Sequence, residues 1–239
     1  MRVDGAGSGD ISNHLNKPEL SRIHFHNKLL RKMESYKFEN IVNEVVTLQG
    51  RPVEVRSCPD QYVGLVRDLS AMHPFSMRVA AQLRPKHACV LLVLESPHVE
   101  EFIGEPGPAK GATGEMIKHH LVSVLGLPSI HDYGVLLVNA IQHQCSLGTN
   151  TRVYRDRIFR AVWANGGESD FRSRVHALFR PGDVLVNCCT KGNDFEMYGP
   201  LRNLVDTTLQ ASIPRNTSMR RTHPASWFDA KWRGQEWRV

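Results

Sequence analysis

Four polar residues stand at the ends of apolar runs in this chain. Glu95 follows Cys89–Leu94, Asn139 closes the run from Val135, Asn187 closes the run from Val184, and His223 follows Thr217–Thr222. A carboxylate can orient or deprotonate a water. A carboxamide offers both a donor and an acceptor, which suits reading the edge of a nucleobase. An imidazole can stabilise negative charge on a leaving group. Brought to one pocket, these groups form a chemically coherent set.

The elements that must position them are legible as patterns. Cys89–Leu94 is a short run of Val and Leu, the signature of a strand buried on both faces. Pro97 cannot donate to a ladder, so the strand ends before it and Glu95 sits at its carboxyl end, where open α/β sheets hold ligands. Glycines at 104, 107, 111 and 114 then lead into an expected helix, Glu115 to Leu125. Taken alone, this stretch also fits a plain strand–loop–helix unit with Glu95 as a solvated strand end. Further strands are expected over Val135–Ala140, Val184–Cys188 and Thr217–Thr222, and helices over Tyr154–Phe179, interrupted near Asn165–Gly167, and Gly199–Gln210. Strands alternating with helices predict a parallel sheet covered on both faces, with the strand-end residues on one rim. The expected fold is an α/β three-layer sandwich around a mostly parallel four-stranded sheet, with extra N-terminal helices.

In motif order the chain resembles the uracil-DNA glycosylase superfamily. It is closest in pattern to the iron–sulfur uracil-DNA glycosylases, whose first motif is GEAPG followed by a Gly-rich segment. Here the matching strings are LESPH and GPAKGATG, then VLLVNAIQHQCSLGTNTR, FRPGDVLVNCCTKG and THPASW, spanning Cys89 to Trp227. The resemblance implies that Glu95 positions or activates a water, that Asn139 recognises the base, and that His223 stabilises the departing base. It implies that Pro97 shapes the water-binding turn. Ser96 falls where enzymes with the GQDPYH motif carry a catalytic Asp, so Glu95 stands in for that acid. His98 falls where those enzymes have a Tyr that excludes larger pyrimidine substituents. No aromatic lies between Gly104 and Gly114, where the family stacks its base on Phe. Both departures point to a pocket open to a larger or modified base. The N-terminal cluster cysteines are missing, so no iron–sulfur cluster and no other cofactor is expected.

DNA, with its target nucleotide flipped out, is the implied partner. Trp227 and Phe228, just after His223, are candidates for a wedge inserted into the stack; core packing is the other reading. Arg215, Arg220 and Arg221 are candidate phosphate clamps, and a solvated basic face is the alternative. Lys191 lies near the rim, without convincing placement as a Schiff-base nucleophile. Other signals are set aside. His98-Val99-Glu100 lacks the Cys pair of a zinc deaminase. The glycine loop lacks the Gly-Lys-Ser/Thr of a phosphate-binding loop. His73-Pro74-Phe75-Ser76 reads as a turn. No His spacing supports a metal site.

The formal charge of +6 suits a polyanionic partner. No stretch approaches the length of a membrane span, and no obligate protein partner is evident. Five cysteines without a CxxC pair point to a reducing cytoplasm. The expected organisation is a mobile tail, 1–16, then one domain, 17–239, helical to residue 86 and α/β from 87. The expected function is a monofunctional DNA glycosylase that removes a modified pyrimidine and leaves an abasic site. A hydroxymethylated or glucosylated cytosine of viral DNA, removed in antiviral defence, is one such base. Uracil or deaminated-base repair is the alternative. A nucleic-acid-binding relative without catalysis is the alternative from another class, favoured by Ser96 in place of Asp.

Overall fold

The computed structural model describes residues 40, 43–44, 54, 56–69, 74–145, 151–193, 195–214 and 218–238. The chain divides into two units, Met1–Lys37 and Phe38–Val239, and every described residue belongs to the second. The expected tail 1–16 and the helical spacing of Leu20–Met33 lie outside the described residues. Of a second expected N-terminal helix, marked by Phe38, Ile41, Val45 and Val46, residues Asn40, Asn43 and Glu44 are described, helical and exposed.

Among the described residues the sheet has six strands where four were expected. They are β1 Gln61–Leu65, β2 Val79–Ala80, β3 Cys89–Leu94, β4 Gly134–Asn139, β5 Val184–Asn187 and β6 Ser218–Arg220, in the spatial order β2-β1-β4-β3-β5-β6. Strands β4, β3, β5 and β6 run parallel, whereas β1 is antiparallel to both β4 and β2. The two added strands come from the segment expected to be helical, so the α/β unit reaches back to Gln61 rather than starting at 87. Tyr62–Ser70 fits a helical period, but Gly64 takes φ +112, which no right-handed helix contains. Tyr62 and Val63 instead fill buried strand positions beside β4.

All six residues of β3 are buried, and alternate residues feed two cores. Leu91 and Val93 meet Ile158, Phe159, Val162, Phe171, Val175 and Val205 on one face. Val90, Leu92 and Leu94 meet Ile117, Leu121, Val124 and Trp227 on the other. Apart from Trp227, these partners lie on helices: α1 Ala112–Leu125 covers the second face, while α2 Thr151–Val162, α3 Glu168–Leu178 and α5 Leu201–Ser212 cover the first. A short helix, α4, spans Phe195–Tyr198. Each Val or Leu so enclosed contributes about 1.5–3 kcal/mol, which is why the run is a double-sided strand.

Between α2 and α3 the chain makes a wide turn, Trp163–Gly167, where Asn165 (φ −102, ψ 29) and Gly166 (φ 118) leave helical geometry. The interruption read from the sequence falls here. At the opposite end of the sheet from the candidate site, Asp183 anchors β3. Its carboxylate accepts from Arg84 at 2.8 and 3.1 Å, from Cys89 N at 2.8 Å and from Arg180 N at 2.7 Å.

Candidate active site at the carboxyl rim of the sheet

The parallel register gathers the strand ends. Leu94 pairs with Asn139, Val93 with Asn187, and Asn187 with Arg220. The ladder runs one step further, since Ala140 N donates to Leu94 O at 2.8 Å and Ile141 N to Glu95 O at 3.0 Å. Residues paired in register point to the same side of a sheet, and successive residues to opposite sides. Asn139 therefore shares the face of Leu94 and α1, while Glu95 leaves β3 toward the face covered by α2. Both sit on one rim, with side chains directed to its two sides.

Glu95 is only 4% exposed. Its Oε1 lies 3.3 Å from Arg155 Nε, on α2, and has no hydrogen-bond partner among the described residues. Burial pushes its pKa up to about 7; Arg155 and a hydrogen bond from Ser96 pull against that, and Asp156 adds to it. A buried acceptor left without a donor costs about 1–3 kcal/mol, a cost that a water or ligand N–H relieves.

His223 meets the field of the same Arg155. Burial first, then that positive charge, push the imidazole pKa down to about 4, so the ring is neutral near pH 7. Ala225 N donates to Nδ1 at 3.2 Å as the ring caps the turn Pro224–Ser226. With Nδ1 accepting, the proton of the neutral ring is on Nε2, which is a donor.

Asn139 is 1% exposed, and its main chain is tied down from the other face. Arg174, on α3, donates to Asn139 O at 3.1 Å and Ala140 O at 3.0 Å. It also pairs with Asp60 and Asp170, each at 2.7 Å. The Asn139 side chain meets Cys58 Sγ at 3.6 Å through Nδ2 and hydrogen-bonds the Glu101 carboxylate, while Oδ1 has no partner among the described residues. Glu101 is 5% exposed, and burial pushes its pKa up to about 7; hydrogen bonds from Ala109 N–H, Asn139 and Cys58 and the charge of Arg78 oppose the shift.

The glycine-rich loop closes over this side. Ala109 holds φ 55, and a Cβ on Gly114 would come within 2.0 Å of Ala109 O, so only glycine fits there. The same imagined Cβ lies 3.2 Å from Phe75. An aromatic ring therefore stands beside the loop after all, delivered from the segment read as a turn. Arg78 lies over that ring at 5.0 Å.

The remaining expected residues divide. Ser96 is half-buried and Pro97 buried at the strand end. His98 is exposed and accepts from Glu100 N at 3.4 Å, capping the turn Val99–Phe102. Trp227 is fully buried, with Nε1 donating to Thr222 O at 2.8 Å; as a core residue it cannot be a wedge. Phe228 is 70% exposed and Trp232, missed in the sequence, 43%. Arg220 is bound to Asp206 at 2.7–3.2 Å, and Arg221 donates to Val124 O at 3.1 Å and Arg220 O at 2.9 Å. Both tie the structure together and do not stand as free phosphate clamps. Lys191 is exposed, its ammonium 3.4 Å from the centre of the Phe195 ring. Arg215 lies outside the described residues. Sequence reasoning also missed Arg155, Glu101 and Cys58, whose polar neighbours give no periodic signal.

Among the described residues no group of three or more His, Cys, Asp or Glu is placed to hold a metal ion. None of their helices is long and apolar enough to cross a membrane. All five cysteines are free thiols and buried. Comparison with protein-family models, with curated proteins and with solved structures finds no match to this chain.

Proposed function

We propose that the protein is a monofunctional DNA glycosylase that hydrolyses the N-glycosidic bond of a modified pyrimidine. The observation that carries this reading is the buried carboxylate of Glu95, its Oε1 unbonded and 3.3 Å from Arg155 Nε, whose charge also acts on His223.

The chemistry follows from the bond. The target nucleotide leaves the stack at a cost of roughly a few kcal/mol, repaid by contacts in the pocket. The C1′–N bond then breaks, its electron pair staying on the base while positive charge builds on the sugar. The Glu95 carboxylate takes a proton from water as the water oxygen bonds to C1′. With a pKa near 7 the group is ionised in mildly alkaline solution and basic enough for the task. The Nε2–H of neutral His223 donates to the negative charge on the departing base, which later takes a proton from solvent. Asn139 reads the base edge across the strand ends, since its side chain leaves the rim on the side of the sheet opposite Glu95. Ser96 keeps Glu95 in place by its hydrogen bond, and Pro97 ends the strand so that the acid meets the rim.

An exposed His98, in place of a residue that would exclude large substituents, suits a bulky base such as hydroxymethylated or glucosylated cytosine of viral DNA, with Phe75 as the aromatic ring beside the glycine loop. A role in antiviral defence fits that substrate. The test is incubation with oligonucleotides bearing uracil, hypoxanthine, hydroxymethylcytosine or its glucosylated form, followed by alkali. Strand breaks at modified cytosine are expected. Breaks confined to uracil replace this substrate with base repair. No breaks, with retained salt-sensitive binding, replace the enzyme with a binding protein.

A further inference from the structure

The role of Asn139 as reader of the base belongs to the glycosylase reading, and its amide gains a further meaning only on that footing. The amide is not free to turn. The nitrogen serves two acceptors, the Glu101 carboxylate and Cys58 Sγ at 3.6 Å. A carboxamide has two N–H groups, so both are engaged and only the carbonyl oxygen remains. That oxygen is buried and without a partner among the described residues. Turning the amide over would set Oδ1 against the Glu101 carboxylate, acceptor against acceptor, wherever Glu101 is ionised, above its pKa of about 7.

Glu101 is itself fixed. It accepts from Ala109 N–H and from the Cys58 thiol, 3.9 Å away. Arg78, whose charge it feels, is held by Gln61 Oε1 at 2.8 Å and Pro108 O at 2.9 Å. The glycine loop and Glu101 thus form one frame around the amide.

We propose that Glu101 is a positioning residue that locks Asn139 with its carbonyl toward the base, so that the site favours a base carrying an exocyclic amino group over one carrying a carbonyl there. Cytosine derivatives present an N4 amino donor at this edge, whereas uracil and thymine derivatives present the O4 acceptor. Facing the 4-position, the lone acceptor of Asn139 satisfies the first and repels the second. Selectivity between two pyrimidines with the same substituent at C5 is thereby set by a carboxylate that touches neither.

The test compares 5-hydroxymethylcytosine with 5-hydroxymethyluracil in otherwise identical oligonucleotides, by single-turnover excision and by equilibrium binding, using the full chain. The wild-type protein should favour the cytosine form. In Glu101→Gln the new side-chain amide can donate to Oδ1, the Asn139 amide can turn, and the preference should fall by roughly tenfold or more. A general loss of structure lowers both substrates together and leaves their ratio unchanged. Cys58→Ala, which frees one Nδ2 hydrogen without offering a new donor, should narrow the preference in the same direction. An unchanged ratio in the folded variants overturns the proposal. If the wild-type protein excises neither base, the glycosylase reading fails separately. The binding ratio then decides alone, equal affinities overturning the amide lock and a cytosine preference lost in Glu101→Gln supporting it.

Discussion

Arg155 Nε stands 3.3 Å from Glu95 Oε1 but donates its hydrogen bond to Asp156 Oδ1 at 3.2 Å. Glu95 therefore has a cation beside it while its own oxygen keeps full capacity to accept. A carboxylate whose lone-pair sites are all engaged has none left for water. Asp183, which accepts two bonds from Arg84 and one each from Cys89 N and Arg180 N, makes that inert arrangement elsewhere in the same sheet.

The state of Glu95 should appear in the pH dependence of excision. Burial raises its pKa to about 7, and the ionised form is the base. Excision should rise with pH through about 7 and level off above it. Glu95→Gln should lower the rate by about 10²–10⁴-fold and remove that rise, with DNA affinity little changed. A rate that ignores pH between 6 and 8 in the wild-type protein removes Glu95 from the role.

His223 should act without being charged. Its pKa is depressed to about 4, so no loss of activity from its protonation is expected above pH 5. His223→Ala should reduce single-turnover excision by about 10²–10³-fold while binding of the same oligonucleotide stays within a few-fold. Full activity in this variant ends the assignment.

Gly114 is a steric test of the loop. Ala at this position places a Cβ about where Ala109 O already lies, at 2.0 Å. Gly114→Ala should destabilise the protein by about 1–3 kcal/mol or more, read as a lower urea midpoint, and should impair excision. Gly104→Ala meets no atom within 4 Å, but its φ of +67 still strains an alanine; it should cost less and leave excision nearly intact.

The aromatic pair after His223 separates core from surface. Trp227→Ala should cost about 3–5 kcal/mol of stability, since the ring is fully enclosed. Phe228→Ala should leave unfolding unchanged and weaken DNA binding, by an amount consistent with about 1–3 kcal/mol per stacked base. Equal affinity in Phe228→Ala and wild type excludes Phe228 from the DNA interface.

Much of the parallel part of the sheet could be read directly, for a physical reason. Strands such as β3 and β4 are enclosed on both faces, so their sequences are unbroken runs of Val and Leu. Strand β1 is shorter and carries Gly64, and its Tyr62 and Val63 also satisfy a helical period, so local pattern misassigns it. Glu95 and Asn139 were legible because each stands at a strand end, and His223 because it follows β6 by three residues, before a proline. Arg155 and Glu101 were not. One lies among the charges of Arg152–Arg157 and the other beside an identical Glu100, and only tertiary folding distinguishes the member that turns inward. Trp227 and Phe228 are adjacent and chemically alike, so sequence alone could not say which is enclosed.

The bend at Trp163–Gly167 joins the helices that serve two halves of the rim. Arg155, beside the acid, rides on the helix before it, and Arg174, which grips the main chain of the base reader, rides on the helix after it. The five-residue bend thus acts as a fixed gauge between water activation and base recognition. Altering its angle would detune both at once, from a place that touches neither.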